Sequence, residues 1–325
     1  MEIDLKEKTI MITGGTGSFG NQCVETLLRI GPPSKLIIFS RDELKQQEMR
    51  QRFSDPCLRF FIGDVRDRER LQRAMKEVDL VIHAAALKQV PACEYNPFEA
   101  VKTNILGAVN VIDAAIDCGV DRVVALSTDK AVSPVNLYGA TKLCAEKLFV
   151  QSNAYSGQEG TKFSCVRYGN VVASRGSVIP LFVEQRSTGV ITITDERMTR
   201  FWITLTHGVD FVLNCFQTMH GGEIFVPKIP SMSVVDLAAA VAPDCKTKFA
   251  GIRPGEKIHE QLISPEESRL TLEFEDMFVI QPAQMWWDEA NWGVGKPLPD
   301  GFSYTSDNNT QQLTIDDLRG IVADL

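Results

Sequence analysis

Thr13-Gly14-Gly15-Thr16-Gly17-Ser18-Phe19-Gly20 lies between an apolar run, Thr9-Ile-Met-Ile-Thr13, and a helical pattern that continues to Arg29 and stops at Gly31-Pro32-Pro33. A short β-branched run ended by glycines reads as a buried strand, and the glycines then open a helix. Gly14, Gly17 and Gly20 are spaced GxxGxxG. A residue without Cβ permits the tight turn and lets a pyrophosphate approach the backbone N–H groups of a helix N-terminus. The octapeptide predicts a nucleotide-binding strand–turn–helix, with Gly14, Thr16, Gly17, Ser18, Phe19 and Gly20 around the phosphates.

The same rhythm continues outward. Lys35–Phe39, Leu58–Ile62, Leu80–His83, Arg122–Ser127 and Phe163–Arg167 are apolar runs separated by segments long enough for crossover helices. Strands alternating with helices predict an α/β fold: a Rossmann-type, doubly wound parallel sheet covered on both faces. After about Val171 the rhythm breaks, and Glu223–Pro227 is the one later run expected to return to the sheet. The expected division is residues 1–170, with a returning segment near 200–228, for the cofactor, and a smaller mixed α/β lobe, mainly 171–325, for the substrate. The stretch 282–309, rich in Trp, Gly, Pro and Asn, gives no reading.

The chain has 325 residues, which suggests about two domains or lobes, and 44% of them are hydrophobic against 23% charged, as a globular chain requires. Its net charge of −8 argues against a nucleic-acid or anionic-membrane partner while leaving room for a local basic pocket. Eight cysteines stand singly, without a CxxC, and the four histidines lack metal-ligand spacing. That pattern predicts reduced thiols and no metal site. The charged start, Met1 to Lys8, is unlike a signal peptide, and no apolar run reaches about 18 residues. No membrane insertion and a cytoplasmic location are therefore expected.

The residues after the second strand choose the cofactor. A carboxylate there suits the ribose 2′-OH of NAD, whereas cations suit the 2′-phosphate of NADP. Ser40, Arg41 and Lys45 favour NADP, because Arg can fork onto phosphate; Asp42 points the other way. Asp64, beside Val65 after the third strand, belongs either on an adenine amino group or at the N-cap of the helix starting near Asp67. Ala84 ends the fourth strand, and Val171 follows the sixth.

Tyr138-Gly-Ala-Thr-Lys142 is a YxxxK pair, which shares one helical face. A Lys ammonium beside the phenol, helped by an oxidised nicotinamide, would make Tyr138 a base near neutrality. Ten residues upstream the fifth strand ends in Ser127-Thr128-Asp129-Lys130. In open α/β sheets, ligands bind at the carboxyl ends of strands, so this tetrapeptide should face the cofactor crevice.

With these motifs the chain resembles the extended short-chain dehydrogenase/reductases that act on nucleotide sugars, and within them the inverting UDP-N-acetylglucosamine 4,6-dehydratase branch of the pseudaminic acid type. The resemblance runs to about Phe278. It is carried by Thr13–Gly20, Ser40–Lys45, Ala84-Ala-Ala-Leu-Lys88, Ser127–Lys130, Asn136–Lys142, Arg167-Tyr-Gly-Asn-Val171, Arg175-Gly-Ser177, Met198-Thr-Arg-Phe-Trp202 and Arg253-Pro-Gly-Glu-Lys257. Thr-Asp-Lys at 128–130 resembles the inverting branch, where retaining dehydratases show Thr-Asp-Glu.

The resemblance implies that Tyr138 takes the 4-OH proton while C4 passes hydride to NADP, and that Thr128 binds the same oxygen. Lys130 would remove the C5 proton, its pKa depressed by Lys142 and the nicotinamide. Asp129 would protonate the leaving 6-OH, and hydride would return to C6 with inversion at C5. For a UDP-sugar substrate it implies Lys88, Thr128, Asn170, Val178, Thr194, Arg253 and Glu256. Asn104 would serve the cofactor side, bonding main chain near the catalytic strand. A homo-oligomer paired through helices at about 97–118 and 136–156 is expected. The alternatives are a UDP-HexNAc 4-epimerase, a non-inverting dehydratase, or a non-enzymatic NADP-binding scaffold.

Overall fold

The computed structural model describes residues 4–157, 160–172, 174, 177–284 and 286–323. The predicted landmark residues Arg175 and Gly176 lie outside them.

Strands β1 (Thr9–Thr13), β2 (Lys35–Ser40), β3 (Leu58–Ile62), β4 (Leu80–His83), β5 (Arg122–Leu126) and β6 (Lys162–Val166) alternate with α1 (Ser18–Ile30), α2 (Glu43–Arg52), α3 (Arg68–Met75) and a longer helical run between β4 and β5. They pair in parallel in the order β3-β2-β1-β4-β5-β6. The order reverses at β1, so the crevice between the β1 and β4 ends is the expected ligand position. Every residue of β1 is buried, as a strand covered by helices on both faces must be.

The run before β5 comprises α4 (Val90–Tyr95), α5 (Pro97–Ala100), a π-helical turn (Val101–Leu106) and α6 (Gly107–Cys118). Sequence pattern predicts one continuous helix over 97–118; the structure widens it into a π turn at 101–106 that carries the buried Thr103 and Asn104. α7 (Leu137–Ser156) crosses from β5 to β6, and Asn136 caps it by accepting a hydrogen bond from the Gly139 N–H.

Beyond β6 come β7 (Asn170–Val171), α8 (Val178–Arg186), β8 (Val190–Ile193), β9 (Thr199–Ile203), α9 (Leu205–Thr218) and β10 (Ile224–Pro227). β10 pairs in parallel with β6, returning the chain to the main sheet as its apolar run predicts. Then follow β11 (Ser231–Ser233), α10 (Val234–Val241), β12 (Lys246–Phe249), β13 (Gln261–Ile263), β14 (Thr271–Glu273), β15 (Met277–Ile280), β16 (Lys296–Pro297), β17 (Tyr304–Thr305) and α11 (Ile315–Ala323).

β15, β14 and β16 extend the main sheet beyond β10 in antiparallel fashion, giving ten strands among the described residues. A second apolar core, around Phe182, Trp202, Leu237 and Leu318, gathers α8, α10 and α11. The tail that sequence leaves without a reading is a plug. Trp292 packs edge-on against Phe225 and Phe274, and its indole N–H donates to the buried Glu223. Tyr304 donates to the Ile229 carbonyl through its hydroxyl.

Candidate active site

An open cleft of ≈ 720 Å³ runs along the carboxyl ends of the parallel strands, in the size range of small-ligand sites. Of the residues predicted for a cofactor, Gly14, Thr16, Gly17, Ser18, Phe19, Ser40, Arg41, Asp42, Lys45, Asp64, Val65, Ala84, Tyr138, Lys142 and Val171 line it. Of those predicted for a substrate, Lys88, Thr128, Asn170 and Val178 do so.

The glycine turn divides its labour. Gly14 has φ 67°, and a Cβ there would lie 2.8 Å from Ala85 Cα. Gly20 stands back from the cleft: a Cβ would meet the Gly15 carbonyl oxygen at 2.1 Å, so its smallness serves helix-to-turn packing. Gly17 begins α1 with no side-chain cap. Gly17 and Ser18 bring this N-terminus to the cleft, and a nucleotide diphosphate fits a helix N-terminus there.

At the β2 end of the cleft, Asp42 is occupied. Its carboxylate caps α2 by accepting from the Lys45 N–H at 3.0 Å and pairs with Lys45 Nζ at 2.9 Å. Arg41 lies at the mouth, 3.6 Å from Asp64. Ser40 Oγ accepts from Gln46. The open choice for Asp64 resolves locally: Asp67 is the cap of α3, while Asp64 accepts from the Arg66 backbone and guanidinium.

At the end of β5, Asp129–Ala131 forms one 3₁₀ turn capped by Thr128. Thr128 Oγ1 donates to Asp129 Oδ1 at 2.9 Å, and Lys130 Nζ donates to the same oxygen at 3.0 Å. Asp129 Oδ2 is buried with no hydrogen-bond partner among the described residues. Burial raises the Asp129 pKa against the pull of Lys130, the direction a general acid needs. The expected depression of Lys130 does not occur. Burial does lower its pKa, but Asp129 and Glu260, 3.0 and 3.3 Å away, together outweigh that and raise it.

Tyr138 and Lys142 are also arranged differently from the simple helical-face picture. Burial pushes the Tyr138 phenol up to about 12, opposed by the Lys130 charge and by a hydrogen bond with Thr128. The lysine that faces the phenol electrostatically is thus Lys130. Lys142 instead donates to the Leu126 carbonyl at 2.6 Å, and burial lowers its pKa.

Asn104 is a strut: it accepts from the Leu87 N–H and donates to the Leu87 carbonyl and Thr141 Oγ1, at 2.8, 2.9 and 3.0 Å. With its amide so engaged it does not line the cleft, contrary to the expected cofactor contact, but it does bond main chain. Thr194 turns to Met198 Sδ at 3.0 Å, also off the cleft. Arg253 and Glu256 close a turn on themselves, the Arg253 N–H donating to Glu256 Oε2, and Arg253 is exposed. That loop still reaches the catalytic helix, because Asn136 Nδ2 donates to the Gly255 carbonyl at 2.8 Å.

A family model described as polysaccharide biosynthesis protein matches residues 10–282. The chain belongs to that family. Among its relatives in the polysaccharide biosynthesis family, a UDP-N-acetylglucosamine 4,6-dehydratase (inverting) of Campylobacter jejuni subsp. jejuni serotype O:2 is 57% identical over 312 residues, 93% of each chain. A UDP-glucose 4-epimerase of Rickettsia conorii is 43% identical over 98% of this chain and 96% of its own. The X-ray structure of Pen from Bacillus thuringiensis matches with a TM-score of 0.90 and 38% identity, covering 99% of this chain and 100% of that one.

For this member of the polysaccharide biosynthesis family, sequence reasoning misses two ionic groups beside the site. Arg167, fully buried at the end of β6, holds Glu146 through Nε and Nη2 at 3.0 and 2.7 Å and Glu267 through Nη1 and Nη2, both at 3.0 Å. It ties α7, one turn past Lys142, to the lobe. Glu260 is the second; a lone Glu in a loop carries no local signal that it meets Lys130.

Proposed function

We propose that this chain catalyses the NADP-dependent 4,6-dehydration of UDP-N-acetylglucosamine with inversion at C5, giving a UDP-4-keto-6-deoxy-L-arabino-HexNAc. The observation that carries the reading is the contact of Asp129 with Lys130 beside Tyr138 and Thr128 at one strand end. An epimerase needs the Tyr and Thr; the acid–base pair is what elimination adds.

Gly14, Thr16 and Gly17 would hold the cofactor's pyrophosphate and Tyr138 and Lys142 would lie beside its nicotinamide, which would supply a hydride acceptor for C4 and later a hydride donor for C6. Tyr138 must first lose its phenol proton to solvent, which burial opposes and the Lys130 charge and the Thr128 hydrogen bond favour; the phenolate then takes the 4-OH proton while Thr128 orients that oxygen. Lys130 passes a proton to Asp129 across 3.0 Å, leaving a neutral amine and a carboxylic acid. The amine then takes the C5 proton, acidified by the new ketone, and Asp129 protonates the departing 6-hydroxyl, so water leaves. Hydride returned to C6 and a proton from solvent reaching C5 on the opposite face would saturate the bond with inversion. Lys88 and Asn170 would hold the sugar nucleotide from the cleft wall; the exposed Arg253 guanidinium would reach it from the loop, while Glu256 is engaged by the Arg253 N–H.

Engagement of Asp42 as a helix cap supports NADP over NAD, because the carboxylate is not free for a ribose hydroxyl. Residues 1–170 with 200–228 would carry NADP, and mainly 171–325 the UDP-sugar. The product suits cell-surface or flagellar glycan synthesis of the pseudaminic acid type, in the cytoplasm. No helix among the described residues is long and apolar enough to cross a membrane. A homo-oligomer is supported by Tyr95 and Phe98, 88% and 78% exposed on the helical run before β5.

The test is NMR of the protein with UDP-N-acetylglucosamine in D₂O. A 4-keto-6-deoxy product with deuterium at C5 and L-arabino couplings is expected, and Lys130→Ala should abolish C5 exchange while still binding NADP. The 43% identity to a UDP-glucose 4-epimerase favours epimerisation as the second reading, for which UDP-N-acetylgalactosamine would be recovered. An untouched sugar would leave an NADP-binding scaffold.

A further inference from the structure

Glu260 precedes β13 and is 3% exposed. Its backbone is pinned: the N–H donates to Ser306 Oγ at 2.9 Å, and its carbonyl accepts from the Ser306 N–H at 2.8 Å. A buried carboxylate is costly unless matched by cations or donors. Three cations surround this one. Lys130 Nζ is 3.3 Å and Arg200 Nε 3.8 Å from Oε1, and Lys257 Nζ is 4.0 Å from Oε2. Oε2 has no hydrogen-bond partner among the described residues.

The cations are themselves fixed. Arg200 donates to the carbonyls of Thr199, Lys257 and Ile258. Lys257 donates to the Val132 carbonyl at 2.5 Å, immediately past the 3₁₀ turn that carries Asp129 and Lys130. On the cleft side, Lys130 faces Asp129, Asn170 and the Tyr138 phenol. His259 turns the other way, its Nδ1 on Thr199 Oγ1 and its Nε2 3.9 Å from Asp307.

We propose that Glu260 is a positioning residue for the acid–base pair: from the lobe, its carboxylate holds Lys130 against Asp129 and sets the pH range in which that pair holds one proton. This rests on the reading of Lys130 as the C5 base. The pair works only with a single shared proton, so the rate of C5 exchange is bell-shaped in pH. A fixed negative charge beside the pair moves both limbs upward. The loop bearing Arg253 and Glu256 meets the same carboxylate through Lys257.

The experiment measures C5 deuterium exchange against pH for the purified protein with NADP and UDP-N-acetylglucosamine. In Glu260→Gln both limbs should move toward acid by about 1–3 units, the range for loss of one close charge. Glu260→Asp should leave the limbs near their wild-type positions whatever its rate. Lys257→Met should move them the opposite way, toward alkali, and it decides the matter alone if Glu260→Gln does not fold. A purely structural Glu260 would lower the rate at every pH without moving either limb, and that result in the folded variant overturns the proposal. Lys130→Ala separates the failures. If it still exchanges C5, the base assignment falls and takes this inference with it. If it is silent while the limbs of Glu260→Gln stay put, only the Glu260 inference falls.

Discussion

Gly139→Ala sets helix propensity against packing at the catalytic turn. In an open helical position the change would stabilise the protein by about 1 kcal/mol, because Ala restricts the unfolded chain. Gly139 is not in an open position. A Cβ there would lie 2.1 Å from the Lys130 carbonyl oxygen, 3.0 Å from the Lys130 carbonyl carbon and 3.1 Å from Pro134 Cβ. The first obstacle is backbone, which no rotamer change can remove. Helix α7 and the 3₁₀ turn would therefore have to part by about 1 Å, and a misplacement of that size costs on the order of 10²-fold in rate. Overpacking costs about 1–3 kcal/mol, so after the propensity gain the net loss of stability is only about 0–2 kcal/mol.

The expected signature is a dehydration rate down about 100-fold, or about 2.7 kcal/mol in the barrier, with a much smaller loss in urea unfolding. Binding of NADP at the distant glycine turn should change little. Product formation by NMR and unfolding followed by circular dichroism supply the two numbers. A variant that is about 1 kcal/mol more stable and as active as wild type would refute the claim that the close approach at Gly139 holds Tyr138 against Thr128 and Lys130.

Three further outcomes follow from buried polar groups. Arg167→Met should cost about 3–5 kcal/mol in urea unfolding, because Glu146 and Glu267 lose their shared cation, and Arg167→Lys should restore little of it for want of the fork. Asn104→Ala removes three hydrogen bonds between the Leu87 backbone and Thr141, for an expected loss of about 2–4 kcal/mol together with lower activity. His83, buried with its Nδ1 2.8 Å from Thr13 Oγ1, has its pKa lowered by burial and by Lys142 to about 3. It is neutral when folded, so its contribution is intact above the unfolded value of about 6.5 and is lost as pH falls below it. Unfolding free energy should drop by about 1 kcal/mol between pH 6.5 and 5.5, and by less in His83→Asn.

The parts legible beforehand share one property: their chemistry is encoded by neighbours in the chain. A glycine spacing defines the turn, an i, i+4 spacing places Tyr138 and Lys142 on α7, and an apolar run fixes where β5 ends and hence where Thr128-Asp129-Lys130 emerges. The boundaries match closely, Leu137–Ser156 for 136–156 and Ser18–Ile30 for Ser18–Arg29. What was illegible depends on partners remote in sequence. Glu260 meets Lys130, Arg200 and Lys257 only because separate segments converge on it. The 282–309 stretch lacks periodicity because its Trp292 and Tyr304 fill gaps prepared by other segments.

The sequence by itself determined the parallel α/β scaffold, the nucleotide turn and the set of proton-transfer groups, since each follows from backbone conformation and short-range spacing. Only the tertiary structure decided the state of those groups. Protonation depends on burial and on charges within a few ångströms, and in this fold Lys130 meets Glu260 as well as Asp129, while Tyr138 meets Lys130 and Lys142 turns to a carbonyl. The same lysine that sequence presents as a poised base is held as an ammonium until its proton moves to Asp129.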